Sequence, residues 1–255
     1  MCIVLFNHAT HTEVRTINLK INKRHLLIDY LPMALTATLI IASAVWKEQS
    51  FLKTLPTLIT LAVQILLARA NRLTFLLGGA NSILYALSYF EETLYLQALS
   101  ATVISMPVQI YSYFNWKKNS VSNSPKLREL SPLHKLLIAV GIVAGWLIGN
   151  RFIGNMMRDA KYATADVLLF IMGIVVTFLS AFRFVDAQYL SLISGVLSLC
   201  LWIRIAIESP QNVNYVVIAA YNLFRHIETL INWSKLTVKN TSVKRGNVNE
   251  TKSYT

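Results

Sequence analysis

The sequence predicts an all-α protein that crosses a lipid bilayer about eight times. Hydrophobic residues make up 55% of the 255 residues and charged residues only 14%, against roughly 25% in an ordinary soluble domain. The charges are gathered in short clusters between long apolar runs. Because a soluble chain of this length would need a charged exterior, lipid must solvate most of this surface.

Eight apolar runs are long enough to be membrane spans, since about 20 helical residues cross the hydrocarbon core. They are Leu26–Trp46, Thr54–Ala70, Leu73–Phe90, Thr93–Trp116, Pro132–Phe152, Ala163–Phe182, Ala187–Ile207 and Asn212–Trp233. The polar segment 1–25 does not have the pattern of a cleaved signal, so the first run is expected to be kept as a helix. The basic tail 234–255 is predicted to lack regular structure.

The positions of the basic residues predict the orientation. If both termini face the cytoplasm, 17 Lys and Arg residues fall on inner segments and 6 on outer ones. Cytoplasmic loops of membrane proteins carry such an excess, so we predict a multi-pass plasma membrane protein with both termini inside. The same excess accounts for the net charge of +12 without a nucleic-acid partner.

Spans two to four and six to eight carry similar helix ends. Arg69 corresponds to Arg183, and the pair Asn115-Trp116 corresponds to Asn232-Trp233. A single linking helix between two such triples makes them parallel, which is a transporter architecture with its site at the repeat interface. We therefore predict an extra leading helix over 26–46, a first repeat over 54–116, a linker helix over 132–152 and a second repeat over 163–233. In the linker, Gly141, Gly145 and Gly149 predict a close helix contact.

A set of short motifs follows this layout in a fixed order. They are Gly78-x-x-Asn81-x-x-x-Tyr85, Leu94-Tyr95, Pro107-x-Gln109, Tyr113-x-x-Trp116-Lys117-Lys118, Asp166, Arg183-x-Val185-Asp186, Trp202 and Ile231-Asn232-Trp233. With these motifs the chain resembles the Pnu-type bacterial vitamin transporters. The resemblance implies a three-one-three helix arrangement like that of the SWEET proteins, a homotrimer, and facilitated diffusion of nicotinamide riboside without ion coupling. Thiamine and riboflavin stay open as alternative solutes, and so does a membrane scaffold or sensor that has lost transport.

Six side chains inside the spans are the candidate solute contacts: Asn81, Tyr85, Gln109, Trp202, Arg225 and Glu228. An unpaired polar group in hydrocarbon costs several kcal/mol, so each must find a partner or face a wet cavity. Interhelical hydrogen bonds and plain aromatic packing are the alternatives for the uncharged residues. Arg225 and Glu228 share one helix face, where the resemblance implies Asn and Tyr. They can contact solute or form a structural ion pair, or Arg225 can extend to the membrane surface.

The sequence gives no support for an enzyme. It contains no phosphate-binding glycine loop, no H-E-x-x-H, no G-x-S-x-G and no nucleophile beside an evident base. His8 and His11 have a spacing that suits a metal, but further ligands do not accompany them. We therefore expect no metal and no cofactor. The expected partners are a small vitamin or nucleoside, the lipid bilayer and further copies of the chain.

Overall fold

The computed structural model describes residues 30–121, 124–156 and 161–252. Its α-helices are α1 (Leu31–Trp46), α2 (Phe51–Ala68), α3 (Leu73–Glu91), α4 (Tyr95–Leu99), α5 (Met106–Lys118), α6 (Pro132–Met156), α7 (Ala163–Ala181), α8 (Asp186–Glu208) and α9 (Val213–Lys252). A π-helix, Ser100–Ser105, joins α4 to α5, and a 3₁₀ turn, Pro210–Asn212, precedes α9. Two short strands, β1 (Ser120–Val121) and β2 (Ser124–Pro125), pair antiparallel.

The helices agree with the predicted membrane-protein class. In the described ranges, α2, α3, α6, α7 and α8 are long and apolar enough to cross a membrane. The predicted first span is the 16-residue α1, and the predicted fourth span is divided into α4, the π-helix and α5. The eighth run is the first half of the 40-residue α9, which continues as helix through the predicted tail to Lys252. The tail was predicted to lack regular structure, but it is helical as far as Lys252. The count of eight spans stays a prediction.

Four turns between helices have the same backbone geometry. Glu48, Ala70, Thr93 and Arg183 have positive φ angles of 50°, 50°, 58° and 66°, and each stands two residues after the end of a helix. At every one, the N–H of the next residue donates to the carbonyl five residues back, as Leu94 does to Tyr89 at 2.8 Å. This is the Schellman arrangement, which usually uses glycine. It reverses the chain within a few residues, so consecutive helices pack side by side.

Six helices contact one another in a closed ring, in the order α2, α3, α5, α7, α8, α9 and back to α2. The helix α1 packs on the outside of the ring against α9 and α2, and α6 packs on α7. The glycine stripe of α6 explains the second contact in part. A Cβ on Gly149 would lie 2.6 Å from Val167, and one on Gly145 would lie 3.3 Å from Ile171, whereas Gly141 faces open space. Two of the three glycines therefore serve the predicted close approach.

Candidate solute site

A cavity of about 290 Å³ lies between α3, α5 and α7. Three amides, three serines and two tyrosines form its polar lining: Asn81, Gln97, Gln109, Ser82, Ser100, Ser105, Tyr85 and Tyr89. Its other lining residues are apolar or glycine: Val63, Gly78, Ala101, Leu169, Phe170 and Gly173. The lining thus combines hydrogen-bonding groups with aromatic and aliphatic surface and includes no Asp, Glu, Lys, Arg or His. Three of the predicted contacts, Asn81, Tyr85 and Gln109, meet here.

Asn81 offers a hydrogen-bond acceptor in this cavity. Its Nδ2 donates to the Pro56 carbonyl at 3.0 Å and to Thr60 Oγ1 at 2.9 Å, which fixes the orientation of the amide because a carbonyl can only accept. Its Oδ1 is buried and has no hydrogen-bond partner among the described residues. One turn along α3, Tyr85 contacts the same Thr60 hydroxyl at 3.0 Å. The Thr60 side chain on α2 therefore positions both residues.

Gln109 reaches the cavity over a glycine of the neighbouring helix. A Cβ on Gly78 would lie 2.4 Å from Gln109 Oε1, so only a glycine leaves space for this side-chain position. At the opposite side of the lining, Gln97 Nε2 has no hydrogen-bond partner of good geometry, although it lies beside the Asp166 carboxylate. The three amides of the cavity are thus carried by α3, α4 and α5.

The π-helix shapes one wall of the cavity. Pro107, the second residue after it, has no backbone N–H and cannot donate to the Val103 carbonyl, which disfavours regular α-helix at this point. The widened turn exposes backbone that a side chain can bond, and Ser82 Oγ donates to the Ala101 carbonyl at 3.0 Å. π-Helices frequently occur at functional sites. The sequence analysis predicted a span over this segment without a π-helix, and Pro107 was the signal for the irregular turn.

Trp202 lies beside the cavity lining instead of within it. It stacks on Tyr215 with ring centroids 4.4 Å apart and on Tyr89 with centroids 6.3 Å apart. The Tyr215 hydroxyl contacts Ser88 Oγ at 2.6 Å. Tyr89 in turn stacks on Tyr85 at 5.6 Å. Trp202 therefore supports the tyrosines of the lining from behind, and sequence reasoning did not single out Tyr89 or Tyr215.

Asp166 connects α7 to the start of α4. Its carboxylate is fully buried and accepts from the backbone N–H groups of Leu96 at 2.9 Å and Gln97 at 3.1 Å. These N–H groups belong to the first turn of α4, where helical donors have no partner within the helix. The carboxylate therefore caps α4 from another helix and holds Gln97 at the cavity.

Arg225 and Glu228 form an ion pair on α9, outside the lining of the cavity. The Arg225 side chain is 0% exposed, and its Nη1 lies 2.6 Å from Glu228 Oε2. Full burial excludes the possibility that the guanidinium extends to the membrane surface. The pair is present as the sequence suggested, but the structure does not bring it to the side chains of Asn81, Tyr85 and Gln109. Its contact with solute stays a prediction.

The two Asn-Trp pairs make equivalent contacts at one end of the ring. Trp116 Nε1 and Trp233 Nε1 donate to the Ser180 and Leu67 carbonyls, each at 3.0 Å. Asn115 and Asn232 donate to the adjoining carbonyls of Ala181 and Ala68 at 2.8 Å and 3.3 Å. The indole rings of Trp116 and Trp233 meet with centroids 5.3 Å apart. Each pair thus fastens the last helix of one triple to the first helix of the other.

Comparisons with known proteins agree with this fold. The solved crystal structure of the vitamin B3 transporter PnuC superposes with a TM-score of 0.71 at 17% sequence identity, covering 82% of this chain and 91% of that chain. At this identity the likeness shows the fold. No curated protein matches the chain by sequence. The profile of the family described as nicotinamide mononucleotide transporter matches residues 50–235, which include α2 to α8 and the first part of α9. The chain belongs to this family, the PnuC-like transporters.

Proposed function

We propose that the chain is a facilitative transporter that takes up nicotinamide riboside, or a related vitamin or nucleoside, without coupling to ions. The observation that carries this proposal is the buried Asn81 Oδ1, which lacks a partner and lines an uncharged cavity within the membrane bundle. A carboxamide N–H can donate to this oxygen, while the amide N–H groups of Gln97 and Gln109 can donate to a solute carbonyl or hydroxyl. The solute would thereby remove the cost of an unsatisfied buried acceptor.

The lining favours a nucleoside over a nucleotide. A phosphate group brought into the cavity would bury negative charge, which is costly without a paired cation. The lining residues include no Lys or Arg. The volume of about 290 Å³ is also at the lower end of the range of roughly 300–1,000 Å³ for small-molecule pockets, which disfavours a three-ring solute such as riboflavin.

The aromatic side of the cavity suits a cationic ring. Tyr85 and Tyr89 both line it, and their rings stack with an interplanar angle of 23°. A cation over a tyrosine face gains roughly 0.5–2 kcal/mol, the upper value applying when water is excluded. Nicotinamide riboside carries its positive charge on the pyridinium ring, so this surface complements it. Thiamine also carries a cationic ring and is therefore the competitor that the assay below must separate.

We propose further that α2–α5 and α7–α9 are two parallel repeats linked by α6, in the three-one-three arrangement, with both termini cytoplasmic. The equivalent Asn-Trp contacts support this arrangement, and so do the Schellman turns at Ala70 and Arg183. In these turns Arg183 corresponds to Ala70 and not, as the sequence suggested, to Arg69. Assembly as a homotrimer is proposed from the family resemblance.

Uptake of labelled nicotinamide riboside into proteoliposomes tests the function. Gln109→Leu should lower uptake, because it replaces a cavity amide with an apolar side chain of similar size. Gln64→Leu is the matched control, since Gln64 is a buried amide of α2 that does not line this cavity. Wild-type uptake that stops at solute equilibrium and is inhibited more by nicotinamide riboside than by its mononucleotide or thiamine would support the proposal. Binding without uptake would favour the scaffold or sensor, and stronger inhibition by thiamine would change the assigned solute.

A further inference from the structure

A second, larger cavity of about 660 Å³ lies in a groove between α6 and α8, above α7. It exists because α6 packs on α7 and leaves the neighbouring face of α8 uncovered. Its floor is apolar and runs along the membrane-spanning part of α7 and α8: Ala165, Leu168, Leu169, Leu197, Cys200 and Leu201. Leu197 is 36% exposed, and Cys200 is an exposed free cysteine, so the groove is open to its surroundings.

One end of this groove is basic and aromatic. Lys161 and Arg204 stand there with Tyr162 and Trp146. Lys161 is neutralised by a salt bridge to Glu208, and Tyr162 Oη donates to the same carboxylate at 2.5 Å. Burial and this hydrogen bond raise the pKa of Tyr162 to about 12, so its hydroxyl remains a donor at neutral pH. Among the described residues Arg204 has no salt bridge within 4 Å, although it interacts with Glu208 over a longer distance. Lys161 and Arg204 thus share one carboxylate, which leaves a net charge of +1 among these three side chains.

The order of these side chains along the groove, polar at one end and apolar along the floor, matches the headgroup and acyl chain of a phospholipid. Arg204 is four residues from Glu208, where α8 ends. From Arg204 to Leu197 the groove follows seven residues of helix, or about 10 Å. One leaflet of the core is roughly 15 Å thick, so the apolar floor can hold most of an acyl chain. Tryptophan and tyrosine are also the side chains that favour the headgroup level.

We propose that this groove binds one anionic phospholipid, with an acyl chain along Leu197 and Leu201 and the phosphate beside Arg204. The charge at the rim selects an anionic headgroup. The vitamin-like solute proposed above is a poor occupant, because the floor offers it apolar side chains and one wall is open to lipid. The binding of a lipid here would stabilise the attachment of α6 to the ring.

A second groove provides an internal comparison. It lies between α6, α7 and α8 towards the other end of the bundle, has a volume of about 370 Å³, and is lined by Ile138, Ile142 and Ile193 among others. Its basic residue, Lys135, forms a salt bridge of 2.8 Å with Asp186. Because this pair is balanced, we expect no preference for an anionic lipid there.

Native mass spectrometry of the delipidated full chain tests the proposal. The probes are dioleoyl phosphatidylglycerol and dioleoyl phosphatidylcholine, titrated separately in detergent. The wild type should retain phosphatidylglycerol several-fold more tightly than phosphatidylcholine. Arg204→Ala should weaken phosphatidylglycerol about fivefold and leave phosphatidylcholine unchanged, since one basic residue near an anionic lipid contributes about this much. Leu197→Trp, which fills the floor, should weaken both lipids, whereas Ile193→Trp in the second groove should leave the phosphatidylglycerol preference unchanged.

Three results would overturn the proposal. The first is equal retention of the two lipids by the wild type. The second is an unchanged lipid preference in Arg204→Ala. The third is an oligomer that excludes lipid and dissociates in Leu197→Trp, which would make the groove a contact between copies of the chain. None of these results depends on transport, so a failure here is distinct from a failure of the proposed function.

Discussion

Gly78→Ala is expected to lower solute binding by displacing Gln109. The new Cβ would lie 2.4 Å from Gln109 Oε1, so the amide must retreat by about 1 Å to reach an ordinary contact of 3.4 Å. Loss of one neutral hydrogen bond between Gln109 and the solute costs about 0.5–1.5 kcal/mol, which weakens binding by between about twofold and about tenfold. The fold should not suffer, since alanine is favoured over glycine in a helix interior by about 1 kcal/mol.

The assay is the apparent KM of nicotinamide riboside uptake in proteoliposomes, read together with the Tm of the purified protein. Two glycine controls separate the effect of displacement from that of an added methyl group. Gly173→Ala adds a methyl group inside the same cavity, at a position with no heavy atom within 4 Å of the new Cβ. Gly141→Ala adds a methyl group on α6, outside the cavity, also with no heavy atom within 4 Å. Both should change KM by less than Gly78→Ala. If Gly78→Ala keeps the wild-type KM, or if Gly173→Ala raises it equally, the positioning of Gln109 by Gly78 is wrong.

Three other predictions concern the ion pair, energetics and topology. Arg225→Ala removes the cation beside Glu228 and should lower the free energy of unfolding by about 3–5 kcal/mol if Glu228 stays charged. The double variant Arg225→Asn with Glu228→Tyr removes both charges, so it should be more stable than either single variant and shift selectivity towards nicotinamide riboside. Equal Tm and equal selectivity in all variants would show that the pair is not part of the site. Solute accumulation in proteoliposomes should not exceed equilibrium, and an accumulation that a protonophore abolishes would contradict uncoupled transport. In a background without native cysteines, an impermeant thiol reagent added outside should label a cysteine at Gln211 and not one at Asn247, and the reverse would invert the predicted orientation.

The apolar runs predicted most helix bounds to within about five residues, because lipid demands long hydrophobic segments; the exceptions are the division of the fourth run and the continuation of α9 to Lys252. They could not predict how the helices end. The turns at Ala70, Thr93 and Arg183 place non-glycine residues at positive φ, where the usual signal is glycine. Packing of the adjoining helices determines these turns, and that information is non-local. The same reason explains why the glycine stripe of α6 indicated a close contact without indicating its partner, α7.

The candidate site was predicted best where a polar residue lies within an apolar run. Asn81 and Gln109 were predicted as contacts because they are amides inside apolar runs and belong to the family motifs, and both line the cavity. Gln97 was not among the predicted contacts, because its position depends on the cap that Asp166 provides from α7. Tyr89 gave no signal of its own, since a tyrosine near a helix end is ordinary in a membrane protein.

The internal repeat proposed above relates the helix ends of the two halves more closely than it relates the side chains between the helices. The 117-residue offset of the two Asn-Trp pairs also relates Gly78 to Gly195 and Gln109 to His226. A Cβ on Gly195 would make ordinary contacts with Leu223 at 3.4 Å and with His226 at 3.5 Å, whereas a Cβ on Gly78 would overlap Gln109 Oε1. Under the proposed repeat, the two halves therefore differ in chemistry at these positions, with an amide in one half and an imidazole in the other. His226 Nδ1 has no hydrogen-bond partner among the described residues. The side chain beside the glycine, and not the glycine itself, is thus what distinguishes the two halves at this point.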